Sequence, residues 1–239
     1  MKMKNKIVIM SPYMEWNISK EVRDLQQKIM EHFAPEGCDV VQVEMPRVLY
    51  THGPSLTKFI NETDYEIYVF FNIDSIPLNK EIIPRLINEA KAGKLIGCML
   101  RNGSRHLFAG DCGMAFSRKL YDTCKVDFRR GRRDLGPDEI EKEKKICPWN
   151  LREDDIGFWV ESDTGEKLTY KCEEYGIPVI LLKPTKVEEV KFKWLDGFEL
   201  GLGNTFEKDI WHQAETWKGT GMLLNKLKEV WEKINNGLL

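Results

Sequence analysis

The chain has no long hydrophobic run. No uninterrupted apolar stretch approaches the roughly 20 residues that a bilayer-spanning helix requires. Behind the basic start Met1-Lys2-Met3-Lys4-Asn5-Lys6, the apolar run extends only from Ile7 to Met10. That is too short for the core of a signal peptide, and it reads as a first strand. Close cysteine pairs are also missing. The six cysteines, Cys38, Cys98, Cys112, Cys124, Cys147 and Cys172, show neither zinc nor redox spacing, which reads as reduced thiols in a cytoplasmic compartment. Nor is there an excess of charge of one sign. Thirty-six Lys and Arg stand against 38 Asp and Glu, for a net charge of −2, which argues against a dedicated nucleic-acid binder. Internal repeats and low-complexity linkers are absent. What remains is a 239-residue chain, 42% hydrophobic and 31% charged, long enough for one sizeable core and too short to divide comfortably into two domains.

Strand and helix signals alternate through the first half. Lys6 to Met10 is a short strand ended by Ser11-Pro12-Tyr13. Ser19 caps a helix over about 20–33, with Val22, Leu25, Ile29 and Phe33 at helical spacing. Pro35, Glu36 and Gly37 break it. Cys38 to Met45 reads as the second strand, and Gly53-Pro54-Ser55 opens a short helix to about Asn61. Leu78 to Ala92 reads as helix, Gly93 stops it, and Lys94 to Leu100 is another strand. This order predicts an α/β domain with a mostly parallel central sheet and helices on both faces.

Within that half, Tyr65 to Leu78 is an apolar strand run that ends on a carboxylate, Asp74, and is closed by Pro77. In open α/β sheets, ligands bind beyond the carboxyl ends of the strands. Strand side chains alternate faces, which points Asn72 and Asp74 to one side about 7 Å apart, able to grip two parts of one ligand. Hard oxygen ligands of this kind suit Mg2+ or Mn2+ carrying a diphosphate. An ordinary buried strand ending on a capping Asp fits these residues equally well.

The second half is less regular. Phe108 to Ser117 reads as two glycines bracketing an acidic turn, Gly110-Asp111-Cys112-Gly113, followed by a β run. Ser117 then caps a helix from Arg118 to Cys124. The charged stretch from Arg129 to Pro148 has no apolar periodicity and reads as a mobile loop, about 125–150. Asp163 is placed to cap a helix from Thr164 to Tyr175, Gly176 ends it, and Ile177 to Leu182 is a strand. Gly201 to Phe206 is too glycine-rich to suggest a regular element. Met222 to Ile234 carries Leu223, Leu224, Leu227, Val230 and Trp231 on one helical face.

The ordered series of Ser11-Pro12-Tyr13, Asn72-Ile73-Asp74-Ser75-Ile76-Pro77-Leu78, Ala109 to Ser117, Gly201 to Phe206 and Trp211-His212 resembles GT-A-type glycosyltransferases, in particular small single-domain ones from bacteria and their phages. The resemblance spans nearly the whole chain. It implies a single GT-A-like domain over 1–239, with a nucleotide-binding half to about 100 and an acceptor half beyond it. It also implies a metal-dependent transfer of a sugar from a nucleotide-diphosphate donor, with Mn2+ or Mg2+ as cofactor. Carried over residue by residue, Asp74 and His212 are the metal ligands, although an imidazole simply packed beside Trp211 fits His212 too. Pro12 and Tyr13 contact the nucleotide base, Glu44 the base or ribose, and Gly110 and Asp111 the donor sugar and acceptor. The family has Asp-x-Asp where this chain has Asn72-Ile73-Asp74. Asn72 retains hydrogen-bonding capacity toward a ribose hydroxyl but contributes no charge to a metal.

Transfer with inversion needs a base for the acceptor hydroxyl. Asp163 is the first candidate, with Glu161 and Asp155 behind it, and Asp163 serves equally as a helix cap. Cys112 reads as packing, since no histidine follows it at a nucleophile-base spacing. Two alternatives belong to other classes. A sugar-nucleotide pyrophosphorylase shares a similar sheet, but Ser11 to Trp16 has no glycine where such enzymes open with a Gly-rich loop. A nucleic-acid module would rest on Arg129, Arg130, Arg132 and Arg133, offset by the acids from Asp134 to Glu143. The acceptor stays open among a glycan, a small molecule and, for a phage-encoded enzyme in a host cytoplasm, hydroxymethylated DNA.

Overall fold

The computed structural model describes residues 6–16, 18–46, 52–102, 106–146, 151–193, 199–214 and 220–239. In chain order the elements are β1 (Ile7–Tyr13), α1 (Lys20–Phe33), β2 (Cys38–Glu44), α2 (His52–Glu62), β3 (Ile67–Phe70), β4 (Ser75–Pro77), α3 (Ile82–Lys91), β5 (Leu95–Asn102), β6 (His106–Ser117) and α4 (Arg118–Cys124). There follow β7 (Gly131–Asp134), α5 (Pro137–Ile146), β8 (Arg152–Asp154), β9 (Gly157–Ser162), α6 (Glu166–Glu174), β10 (Val179–Leu182), β11 (Pro184–Lys193), β12 (Glu199–Phe206), β13 (Ile210–Gln213) and α7 (Gly221–Asn235).

The six-stranded sheet has the order β10-β5-β6-β3-β1-β2. Only β6 runs against the others, so the sheet is mostly parallel as the alternating pattern predicts. Strand alternation loads both faces. Val8 and Met10 of β1 pack with Leu56 and Ile60 of α2, Leu120 and Cys124 of α4 and Leu168 of α6. Ile9 points the other way, to Val22 and Ile29 of α1, Leu86 of α3 and Leu227 of α7. Burial of these side chains is the main force holding the helices to the sheet. Ser19 Oγ accepts from Val22 N at 3.3 Å and Ser117 Oγ from Leu120 N at 3.2 Å, and α1 and α4 start where those caps predict.

Several expectations are revised. The run through Asp74 is not one strand: β3 ends at Phe70, and Asn72 to Ser75 form a turn closed by Ser75 N donating to Asn72 O at 2.8 Å. Asn72 and Asp74 are thus turn residues, and strand alternation does not set their spacing. The stretch about 125–150 contains β7 and α5, while 147–150 lie outside the described residues. Helix α5 lacks an apolar stripe but has Asp138 and Glu139 in its first turn and Lys144 and Lys145 in its last, charges that complement the helix dipole. Helix α6 begins at Glu166 with Gly165, not Asp163, in the cap position.

Gly201 to Phe206 is strand. It forms most of β12 in a four-stranded antiparallel sheet ordered β11-β12-β13-β4. The glycine marks a close approach: a Cβ on Gly201 would sit 2.2 Å from the carbonyl oxygen of Glu188 on β11. A Gly201→Ala variant is expected to lose about 1–3 kcal/mol of stability through this overlap with backbone. Urea denaturation measures it, and an unchanged midpoint would contradict the close β11–β12 contact.

Candidate active site

Parallel strands share their carboxyl edge, so β1 and β3 deliver Tyr13 and the Asn72–Asp74 turn to the same rim of the sheet. Pro12 is buried beneath that rim. Tyr13 is half-buried with the Arg23 guanidinium 4.8 Å from its ring centre. Glu44 is exposed at the end of β2, directly beside Tyr13 in register.

His212 reaches the same rim from the far end of the chain. Strand β13 pairs antiparallel with β4, setting Trp211 against Ile76 and His212 against Ser75, and Gln213 N donates to Asp74 O at 2.9 Å. This pairing leaves His212 Nε2 3.5 Å from Asp74 Oδ1, with both side chains only 12% exposed. Two ligand atoms each about 2.1–2.2 Å from a shared ion stand about 3.0–3.5 Å apart at bond angles between octahedral and tetrahedral. The pair therefore fits one divalent cation. Among the described residues no group of three or more His, Cys, Asp and Glu side chains is arranged to hold a metal, so the remaining coordination positions would fall to ligand oxygens and water.

Asp111 enters from β6. Between the pairs Gly97↔Met114 and Cys98↔Gly110, strand β5 advances one residue while β6 advances four, so Asp111, Cys112 and Gly113 form a bulge. The expected acidic turn is this interruption within one long strand. Asp111 is 5% exposed; its Oδ1 accepts from Asn72 Nδ2 at 3.2 Å, and its Oδ2 lies 3.1 Å from His52 Nε2. His52 Nε2 and Asp111 Oδ2 are at ion-pair distance, yet neither atom makes an aligned hydrogen bond, and both are shut off from solvent. Burial pushes the Asp111 carboxyl above its ordinary range. The charge of His52 opposes that shift, Asp163 adds to it, and the Asn72 hydrogen bond and His212 oppose it. Burial likewise drives the Cys112 thiol well up, which agrees with packing and leaves little thiolate to act as a nucleophile.

A second group of charged side chains comes from Arg130 just before β7, from β9 and from the loop before α6. Asp163 Oδ1 is 2.9 Å from Arg130 Nη2 and accepts from Thr164 N at 2.8 Å. The Asp163 N–H donates to Glu166 Oε2 at 2.8 Å, so at this helix start Glu166 supplies the capping oxygen. The charges of Asp163, Glu161 and Asp111 all act on Arg130, placing these groups in one electrostatic neighbourhood. Asp155 is exposed in the turn between β8 and β9. Arg129 lies 3.7 Å from Asp127 and Arg133 3.6 Å from Glu139, while Arg132 pairs with Asp134 and Asp154. The four arginines are thus each matched by a carboxylate, which disfavours a free basic surface for nucleic acid.

The structure therefore gathers Asn72, Asp74, Asp111 and His212 at the rim and sets Asp163 and Glu161 around Arg130. It adds His52, which motif reading passed over, and pairs Arg130, one of the four clustered arginines, with Asp163. His52 carries no local signal except its place just before Gly53-Pro54-Ser55.

No family model matches the sequence, and no curated protein matches it. Solved structures do show similarity. A Pyrobaculum calidifontis mannosyltransferase in complex with GDP-Man and Mn2+ matches at 11% identity and a TM-score of 0.38 over 51% of this chain, which spans about half of that protein, 47%. The catalytic domain of Drosophila beta1,4galactosyltransferase 7, in complex with xylobiose, matches at 10% identity and a TM-score of 0.46, over 88% of this chain and 71% of that one. A197 from STIV matches at 9% identity and a TM-score of 0.39, over 87% and 93%. Likenesses this remote carry no weight for activity.

The buried Asp111 gives a pH signature. Its folded-state pKa is raised above the ordinary carboxylate range, so between the ordinary value and the raised one the folded chain holds more of this proton than the unfolded chain. This contribution to stability therefore falls as pH rises through that interval. Asp111→Asn removes the buried charge while keeping the side-chain shape. The variant is expected to melt no lower than the parent at pH 7 and to lose this share of the fall in stability between pH 4 and pH 7, as read by calorimetry. A lower melting temperature at pH 7 would mean that the charged carboxylate stabilises the fold.

Proposed function

We propose that the chain is a glycosyltransferase that moves a sugar from a nucleotide-diphosphate donor to a hydroxyl acceptor, with a divalent cation, Mn2+ or Mg2+, at Asp74 and His212. The observation that carries the reading is the convergence of Asp74 and His212, 3.5 Å apart, on the carboxyl edge of a mostly parallel sheet. This is where the ordered series of sequence motifs that resembles GT-A enzymes requires a diphosphate site.

The chain's own groups divide the work. Tyr13 offers a ring to the base at the end of β1, with Glu44 beside it for base or ribose hydrogen bonds. Asn72 adds an amide already committed at Nδ2 to Asp111, leaving its Oδ1 to accept from a ribose hydroxyl. Asp74 and His212 would hold the cation, which when bound supplies charge neutralisation at the departing diphosphate. Gly110 and Asp111 face the sugar from β6. Asp163 takes the proton of the acceptor hydroxyl as the new glycosidic bond forms and the bond to the diphosphate breaks, with Glu161 as the second candidate. Arg130 Nη2, 2.9 Å from Asp163 Oδ1, holds the carboxylate in place. The acceptor is a glycan, a small molecule or hydroxymethylated DNA. The neutralised arginines favour the first two.

A donor screen in the presence of Mn2+, reading release of UDP, GDP or other nucleoside diphosphates, tests the reaction class. Release from a nucleoside triphosphate and a sugar phosphate would instead support a pyrophosphorylase. Asp74→Asn and His212→Ala are each expected to weaken Mn2+-dependent nucleoside-diphosphate binding at least tenfold while leaving the thermal midpoint nearly unchanged. Titration calorimetry with and without Mn2+ measures this, and undiminished affinity in either variant removes that residue from the site. Asp163→Asn is expected to lower kcat by about 10²–10⁴ with donor affinity retained. A variant with full turnover would exclude Asp163 as the base.

A further inference from the structure

We propose that His52 touches the sugar being transferred, through the outward edge of its imidazole, and that Asp111 is its positioning residue. The proposal rests on the glycosyl-transfer reading above and names the group that recognises the donor's sugar, through a free hydroxyl at the contact. Asp111 feels the charges of both His212 and Asp163. It also accepts from Asn72 Nδ2, two residues before Asp74, and faces His52 with its other oxygen, so the pair lies beside the end of the crevice assigned to the diphosphate, where the migrating sugar must sit.

The atoms determine which residue makes the contact. Asp111 Oδ2 and His52 Nε2 face each other 3.1 Å apart, both shut off from solvent, so of this pair it is the exposed edge of the ring that meets the sugar. The His52 side chain is nonetheless 34% exposed. Its buried atom is Nε2, so the accessible part of the ring includes the opposite nitrogen, Nδ1, for which no protein partner is present among the described residues. A carboxylate facing Nε2 favours the tautomer with its proton there and leaves Nδ1 as an acceptor for a hydroxyl.

The ring is also held rigidly. A Cβ on the next residue, Gly53, would fall 1.8 Å from the carbonyl oxygen of Phe128, so the first turn of α2 lies directly on that backbone. Phe128 N donates to Thr57 Oγ1 at 2.9 Å and ties the same turn down. Two residues further on, Arg130 contacts Asp163. Helix α2 therefore presents His52 beside the acceptor wall on a fixed support, as discrimination between sugar hydroxyls requires.

The test compares intact UDP- and GDP-hexoses, the same donors with one sugar hydroxyl replaced by hydrogen, and bare UDP and GDP, all with Mn2+. His52→Ala is expected to lower kcat/KM for the intact donor by about ten- to a hundredfold while the Kd of the bare diphosphate changes less than twofold. One deoxy donor should be poor with the parent chain and lose no further activity in His52→Ala, because the same hydrogen bond is already missing. His52→Gln, which keeps an acceptor, should recover part of the loss, and Asp111→Asn should reproduce the donor defect with bare-diphosphate binding intact. Equal loss for donor and bare diphosphate, or a full additional loss for every deoxy donor, would overturn the assignment of His52. A parent chain that neither binds nor cleaves any nucleotide sugar would instead overturn the reaction class and the inference with it.

Discussion

The antiparallel pairing of β13 with β4 is the contact on which the candidate site depends. Strand β4 has three residues, too few to hold a site by hydrogen bonds alone, and its strength comes from what it buries. Ile76, Ile210 and Trp211 are at most 1% exposed and belong to the core shared with α1, α3 and α7, so sliding the register by one residue would turn Trp211 out of that core. The ladder is extended by Leu78 N donating to Asp209 O at 2.7 Å and by Asn79 Nδ2 donating to Asp209 Oδ1 at 2.6 Å. At the end of β13, Gln213 Oε1 accepts from Leu223 N at 2.6 Å in the first turn of α7. Hydrophobic burial thus fixes the register, and the register sets His212 against the Asp74 turn.

A second constraint works through the bulge in β6. Three extra residues in one strand leave the ladder on either side intact while bringing Asp111 to the rim. The carboxylate is then deprived of water and opposed by the charge of Asp163, with a hydrogen bond from Asn72 and the nearby imidazoles of His52 and His212 as partial compensation. A buried charge with such incomplete satisfaction is costly for the fold. Its position among the groups assigned to the metal, the sugar and the acceptor accounts for the cost in terms of binding and chemistry.

Helices α1 and α4 were legible in the sequence because their signals are local: Ser19 and Ser117 cap them, and apolar residues recur at helical spacing in α1. The alternation that implied a mostly parallel sheet was legible for the same reason. Helix α5 was not, because complementary end charges, and not an apolar stripe, mark it. Strand β12 was hidden because Gly201 answers to the backbone of β11, which no local pattern reveals. Asn72 and Asp74 were identified as a pair, but their strand was placed too long, since apolar side chains continue through a turn that is itself buried.

Propensity, periodicity and capping act over a few residues, so the sequence alone carries the alternating elements of the first half and the residue types able to serve a diphosphate site. Only the tertiary structure decided that Asp74 meets His212, that Asp111 faces His52 and that Asp163 is bound to Arg130. Each of these pairs joins distant segments, and their geometry is set by strand register, the β6 bulge and the packing of α2 on Phe128, interactions that exist only once the core has closed.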